Sequence, residues 1–361
     1  MVINSVRLSN FRCFDEQTFN FNHSTVLIEG NNGAGKTSLL EALYYAGYLK
    51  SFRSRLSSDL IKIGAANFFL KLDVTDAELN TTHTIEIGCQ KGTKTVKLDG
   101  KALASHQDLH NKLRVVSLTE DDIDLVRGLP ALRRTFLNET RFLCDHEVVN
   151  TLRKYKKILE QRNKLLMDIR HQSSNSGLRA MLKAWTQQLW TLTITEQAER
   201  KLMLIKIEAH VNQLVQKSFP REDITISFKY QMRNMPAVET FEEFWNLYEE
   251  RIFDVEQSTG YTAFGLHLDD FSVTFQGKLT KGFASRGQNK LVVFLMKIAQ
   301  MLVAGERNVC LILDDFLTDF DQSRLEGALE LIKQLAVQVF VTTPLSGESF
   351  KTLTDVQLLK L

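Results

Sequence analysis

Residues 30–37 read Gly30-Asn31-Asn32-Gly33-Ala34-Gly35-Lys36-Thr37, between an apolar run, Thr25–Glu29, and a helix-patterned stretch, Thr37–Leu49. Strand, glycine loop and helix in that order is the context a phosphate-binding loop requires. The glycines let the backbone wrap an anion without side-chain clashes, and their N–H groups point inward. The following helix aims its positive end at the same point. Lys36 then reaches the β- and γ-phosphates of ATP, and Thr37 supplies a hydroxyl to Mg²⁺, with Ser38 beside it in the same loop. The expectation is an α/β chain built around this loop.

Apolar residues make up 43% and charged residues 24%, as in an ordinary soluble globular protein. The formal charge of +2 gives no global basic excess, so nucleic-acid contact must use local patches. Four prolines are few for this length and favour long uninterrupted helices. Cys13, Cys89, Cys144 and Cys310 are scattered without CxxC or metal spacing. They read as buried, reduced thiols of a cytoplasmic protein. The first residues lack an apolar signal core, and no apolar stretch approaches a membrane span.

Val2–Leu8 reads as a first strand. From about Phe68 to Lys101, β-branched and polar positions alternate around a turn at Lys91-Gly92, which predicts an antiparallel lobe. From about Leu132 the texture changes. Leu152, Tyr155, Leu159, Arg162, Leu166 and Ile169 fall on one helical stripe, with Arg162 as its polar exception. The polar stretch Arg170–Gly177 breaks it, and a second helix runs from about Leu178 to Ser218, at 1.5 Å per residue roughly 60 Å. The two helices form an antiparallel arm in which each buries the other's stripe. Residues 221–260 read as a strand and helix returning to the body. The domains expected are 1–130, a head half with the loop and β lobe; 131–258, the helical arm; and 259–361, the second head half.

That second half carries Val309-Cys310-Leu311-Ile312-Leu313-Asp314-Asp315, an apolar strand ending in two acids. Asp314 is placed to reach the Mg²⁺ shell. Asp315, one step on, is placed to orient or deprotonate an attacking water. Upstream, Ser285-Arg286-Gly287-Gln288 opens the helix Lys290–Ala304 and makes a second anion site at its N-terminus. Loop, helix, strand and acids in this order match the ABC-type signature, with Ala284 for its leucine and Arg286 for its first glycine. In that arrangement Ser285 completes the site of a second chain. Thr318-Asp319-Phe320-Asp321 stands at the dimer-contact loop. Thr342-Thr343 stands where many ABC proteins place a switch histidine.

Taken together, these motifs resemble the RecF family of SMC-class ATPases. Asn10-Phe11-Arg12, Ser51-Phe52-Arg53-Ser54, the stretch from Gly128 to Leu137 with Arg133-Arg134, Gln161-Arg162-Asn163, and the stretch from Thr262 to Asp270 are similar to family motifs in the same order. The chain departs from the family at Glu120 and Leu266, where proline is usual, at Asn138, where aspartate is usual, and at Thr318–Asp321. The resemblance implies an ABC/SMC-type P-loop head with an antiparallel β lobe and a short coiled-coil-like helical arm. It implies that Arg12 approaches the nucleotide phosphates. It also implies an ATP-dependent homodimer that clamps DNA at single-strand gaps and, with RecO and RecR, promotes RecA loading.

Lysine and arginine cluster in three places: Lys91, Lys94, Lys97 and Lys101 on the hairpin lobe, Arg153, Lys154, Lys156 and Lys157 on the arm, and Lys50, Arg53 and Arg55 after the first helix. On a DNA-binding head these would grip the backbone without sequence preference. Asp315 is a methylene shorter than the glutamate of fast ABC ATPases, so slow turnover is expected. Three other readings weigh less. A transporter-type motor has no arm between Lys36 and Ser285. Full-length SMC or Rad50 chains need far longer arms. An SMC-like scaffold that holds ATP without hydrolysing it is the third.

Overall fold

The computed structural model describes residues 2–76, 79–103, 105–171, 176–220, 223–305, 308–343, 350, 353 and 355–361. The chain divides into two compact units: Met1–Ile123 with Val211–Ile224 and Ser285–Leu361, and Asp124–His210 with Thr225–Ala284. The first unit opens with β1 (Val2–Phe11), β2 (Phe14–Asn20), β3 (Thr25–Glu29), α1 (Lys36–Tyr48), β4 (Asn67–Asp76), β5 (Thr81–Gln90), β6 (Thr93–Leu98), β7 (Lys101–Ala102), α2 (His106–Lys112) and β8 (Arg114–Leu118). The second holds α3 (Asp124–Arg127), α4 (Pro130–Cys144), α5 (Val148–His171), most of α6 (Ser176–Ser218), β9 (Ile226–Gln231), α7 (Phe241–Arg251), α8 (Phe253–Thr259), β10 (Asp270–Phe275), β11 (Lys278–Leu279) and α9 (Thr280–Phe283). The first resumes with α10 (Arg286–Ala304), β12 (Val309–Asp314), α11 (Gln322–Gln334), β13 (Gln338–Thr343) and β14 (Val356–Lys360).

Two sheets build the first unit. One is parallel, in the order β14-β3-β13-β12-β8. Its central strands β12 and β13 are buried almost throughout, which is why they read as unbroken apolar runs rather than alternations. The other is antiparallel, in the order β2-β1-β4-β5-β6-β7. Here burial alternates, as in Phe68, Leu70, Leu72 and Val74 of β4. The β5–β6 turn has positive φ at both Lys91 (48°) and Gly92 (78°), the left-handed pair that a two-residue hairpin needs. Helix α1 is buried on nearly every side, because Leu39, Leu40 and Leu43 share one core with Ile28, Ile312 and Phe340 and with Leu70 and Ile85.

In the second unit, the α5 stripe does not rest on α6 alone. Tyr155, Ile158, Leu166 and Ile169 share a core with Leu182 and Leu189 of α6 and with Phe244, Trp245 and Tyr248 of α7. The strand and helix read over residues 221–260 form as β9 and α7, with α8 after them: β9 pairs antiparallel with β10, and α7 and α8 close over the arm helices. For the same reason the expected boundary at 258–259 falls inside this unit, which runs on to Ala284. Of the polar turn at 170–177, residues 172–175 lie outside the described residues.

Arg162, the polar exception, is fully buried. It pairs with Glu256 at 2.6 Å and donates to Thr186, Tyr248 and Thr262. Its neighbour Asn163 accepts both the N–H and the hydroxyl of Thr262. The motif around Gln161 and the motif beginning at Thr262 are therefore two halves of one hydrogen-bond network. The Arg133-Arg134 motif meets the end of the same segment: Arg133 forks onto Asp270 at 2.7 and 3.1 Å, and Arg134 donates to the Asp269 carbonyl. Asn138, where the family has aspartate, accepts from Arg200 at 2.7 Å. The cysteines divide: Cys89 and Cys310 are buried as expected, whereas Cys13 and Cys144 are exposed.

Candidate nucleotide site

Strand register assembles the site. β13 pairs in parallel with β3 on one side and β12 on the other, matching Thr343 with Glu29 and Thr342 with Asp314. The glycine loop, Thr342 and the two acids thus leave the sheet at one level, at the carboxyl ends of adjacent strands, where open parallel sheets bind ligands.

The loop itself needs its glycines. Gly33 and Gly35 have φ of 86° and 107°, and a Cβ at Gly35 would come within 2.8 Å of Cys13 Sγ and 2.7 Å of the Phe14 ring. The chain then enters α1, where Lys36 and Ser38 are buried and Thr37 is half-buried. Asn31 and Asn32 are exposed, and Ala34 donates back to the Asn31 carbonyl at 3.1 Å. Lys36 Nζ donates to the carbonyls of Gly30 (2.8 Å) and Asn31 (3.4 Å), which hold the ammonium within the loop.

Thr37 Oγ1 donates to Asp314 Oδ1 at 3.0 Å. A hydroxyl and a single carboxylate side by side are hard oxygen donors, the set that fits Mg²⁺ shared with phosphates. Among the described residues no group of three or more His, Cys, Asp or Glu could hold a metal ion on its own. Burial pushes the Asp314 carboxyl above its ordinary pKa; hydrogen bonds from Thr342 and Thr37 and the charge of Arg53 oppose this, while Asp315 adds to it.

Asp315 takes a left-handed backbone (φ 50°) and heads the short turn Phe316–Asp319. Its N–H donates to Thr342 Oγ1 at 2.8 Å. The same hydroxyl lies 2.9 Å from Asp314 Oδ1 and 3.3 Å from Asp315 Oδ1. Thr342 is thus a site residue that sequence reading noted only for not being histidine.

Arg12 precedes Cys13, whose Sγ faces Gly35 of the loop. The Arg12 guanidinium forks onto buried Glu41 of α1, at 2.7 Å to each oxygen, and donates to Ser54 and the Asp59 carbonyl. Ser285 caps α10. Its hydroxyl accepts the Gln288 N–H at 3.2 Å while Gln288 Oε1 accepts the Ser285 N–H at 2.8 Å, a reciprocal capping box. Arg286 pairs with Glu120 (3.4 Å) and Asp319 (3.2 Å), and Lys290 serves the same two carboxylates from within the fold. Gly287 sits where a Cβ would press on Arg324 at 3.1 Å. Among the described residues no hydrogen bond or ion pair joins Ser285–Gln288 to Gly30–Ser38.

The family model described as the RecF/RecN/SMC N-terminal domain matches residues 2–357. A DNA replication and repair protein RecF from Geobacter sp. (strain M21) is 31% identical over 320 residues, covering 87% of this chain and 85% of that protein. The chain belongs to the RecF family. Its counterpart in Geotalea daltonii is 29% identical over 355 residues, covering 95% and 93% of the two chains. The fold agrees. A structure of the recombination mediator protein RecF with ATP superposes with a TM-score of 0.82 at 22% identity, covering 96% of this chain and 92% of that one. An Smc head domain from Pyrococcus furiosus superposes at 0.57 and 13% identity, over 97% and 90% of the chains. The chain is therefore a RecF-type protein with an SMC-like, ATP-binding ATPase head. No helix among the described residues is long and apolar enough to cross a membrane.

Proposed function

We propose that this chain is a cytoplasmic recombination mediator of the RecF type: ATP joins two copies, the pair clamps DNA at single-strand gaps, and with RecO and RecR it promotes RecA loading. The observation that carries this reading is the separation of two anion-binding elements. The Gly30–Thr37 loop and Asp314 are bonded to one another, whereas among the described residues no hydrogen bond or ion pair joins Ser285–Gln288 to that loop. ATP held by Lys36 of one copy and covered by Ser285 of the other is then the glue of the dimer, and its hydrolysis loosens the clamp.

Within the site, Lys36 exchanges its loop carbonyls for the β- and γ-phosphates. Mg²⁺ held by Thr37 and Asp314 would neutralise phosphate charge. Asp315 positions the attacking water and accepts its proton, and Thr342 fixes the backbone of Asp315 through the 2.8 Å bond from its N–H. The short Asp315 side chain makes turnover slow, and DNA in the clamp raises it.

Sedimentation of the protein with and without ATP and gapped DNA tests this reading. A monomer under all conditions, or a dimer that takes up no DNA, would refute it. Hydrolysis that survives in both Lys36→Met and Asp315→Asn would show that these residues do not carry the chemistry, and a Ser285→Arg chain that still dimerises with ATP would remove the two-chain site.

A further inference from the structure

We infer that a cavity of about 450 Å³ in the first unit, walled by Lys50, Arg55 and Lys94, is a seat for a backbone phosphate of DNA. The inference rests on the DNA-clamp reading and says where on this unit the strand is held.

The three cations come from two segments, the loop after α1 and strand β6. Lys50 follows the end of α1, Arg55 lies in the loop after it, and Lys94 reaches over from β6. Lys94 is anchored there: its ammonium donates to the Leu49 carbonyl at 2.9 Å and stands 5.5 Å above the Tyr45 ring. Lys50 and Arg55 are exposed and make no ion pair among the described residues. No carboxylate lines the cavity. A solvated charge run would show neighbouring residues on one face with acids between them. Here the fold brings Lys94 of β6 beside two cations of the loop after α1, with no Asp or Glu among the described residues that line the hollow.

Hydroxyls complete the wall. Ser51, Ser54 and Ser57 also line the cavity. Ser54 Oγ accepts from Arg12, and Ser57 Oγ accepts from the Tyr45 hydroxyl at 3.0 Å, so each keeps its own O–H to donate. Three cations and two available hydroxyl donors over a floor of buried Tyr45 and Leu49 are the equipment of a phosphodiester site. Ser54 is also one hydrogen bond from Arg12, and Arg12 is forked onto Glu41 of α1, the helix that begins at Lys36.

The test is gapped-DNA binding in the presence of ATP, followed across a salt series, for the wild type and for K50A/R55A. This pair leaves the anchored Lys94 in place, and retained binding of a fluorescent ATP analogue shows that the fold survives. Removing two phosphate contacts lowers the slope of log K against log salt by about 2 and weakens binding at least tenfold at moderate salt. Unchanged affinity and slope in the variant, beside a wild type that binds, overturns the seat alone. A wild type that binds no DNA with ATP overturns the clamp reading and the seat together.

Discussion

The Thr342 hydroxyl lies 2.9 Å from Asp314 Oδ1, across adjacent parallel strands, and accepts the N–H of Asp315. One side chain therefore holds both acids of the nucleotide site. Thr342→Val keeps the shape and removes the hydrogen bonds. Losing one bond to a charged group costs about 1.5 kcal/mol, so ATP turnover should fall roughly tenfold while nucleotide binding persists. Thr342→Ser should recover most of the rate. Steady-state kinetics decide it: if the valine variant turns over like its parent, the hydroxyl is idle.

The pair Arg162–Glu256 is fully buried and surrounded by hydrogen bonds. Breaking one partner leaves an uncompensated charge in the core, so Glu256→Gln or Arg162→Met should destabilise the protein by about 3–5 kcal/mol in chemical denaturation. A loss below about 1 kcal/mol would mean that the site relaxes or hydrates without penalty.

Thiol reactivity should follow burial. Burial pushes the Cys310 thiol up to about 12, so it stays protonated and unreactive. An alkylating reagent on the native protein should modify Cys13 and Cys144 and leave Cys89 and Cys310 intact, as read by peptide mass mapping. Cys13 Sγ lies against Gly35 of the phosphate loop. Bound ATP should therefore slow its labelling and not that of Cys144. Equal protection of both cysteines would show a global effect instead.

His267 is held between the Tyr155 hydroxyl (2.8 Å) and the Thr262 carbonyl (3.2 Å), and burial first of all lowers its pKa below the usual 6.5. As pH falls below 6.5 the unfolded chain takes up the proton before the folded one. The stabilising contribution is thus fully present above 6.5 and is lost as pH drops toward the folded pKa. Denaturation midpoints at about pH 7.5 and about pH 5.5 should separate more for the wild type than for His267→Gln. Parallel losses in the two proteins would assign the pH effect to other groups.

Local chemistry made much of this legible. The strand–loop–helix around Gly30–Thr37, the β5–β6 turn at Lys91-Gly92 and the acids ending β12 follow from short-range patterns, and all three form. Long-range pairing was not legible. Nothing in the spacing of residues 221–284 says that β9 pairs with β10. The stripe on α5 announced a buried face but not the aromatic residues of α7 that cover much of it. Arg162 looked like a flaw in that stripe because its acid, Glu256, lies far along the chain. Thr342 was hidden for a related reason. A threonine at a strand end carries no motif, and its role is set by the parallel register with β12.

The ion cluster beside Ser285 has a historical meaning. Glu120, Arg286 and Asp319 each depart from the residue that family or signature patterns place there, yet they share one network around buried Lys290. Two acids facing Lys290 alone would repel each other, and Arg286 without them would lose both its partners. In relatives of this chain these positions should change in concert, and a graft that swaps one of them alone between family members should fare worse than one that moves the whole set.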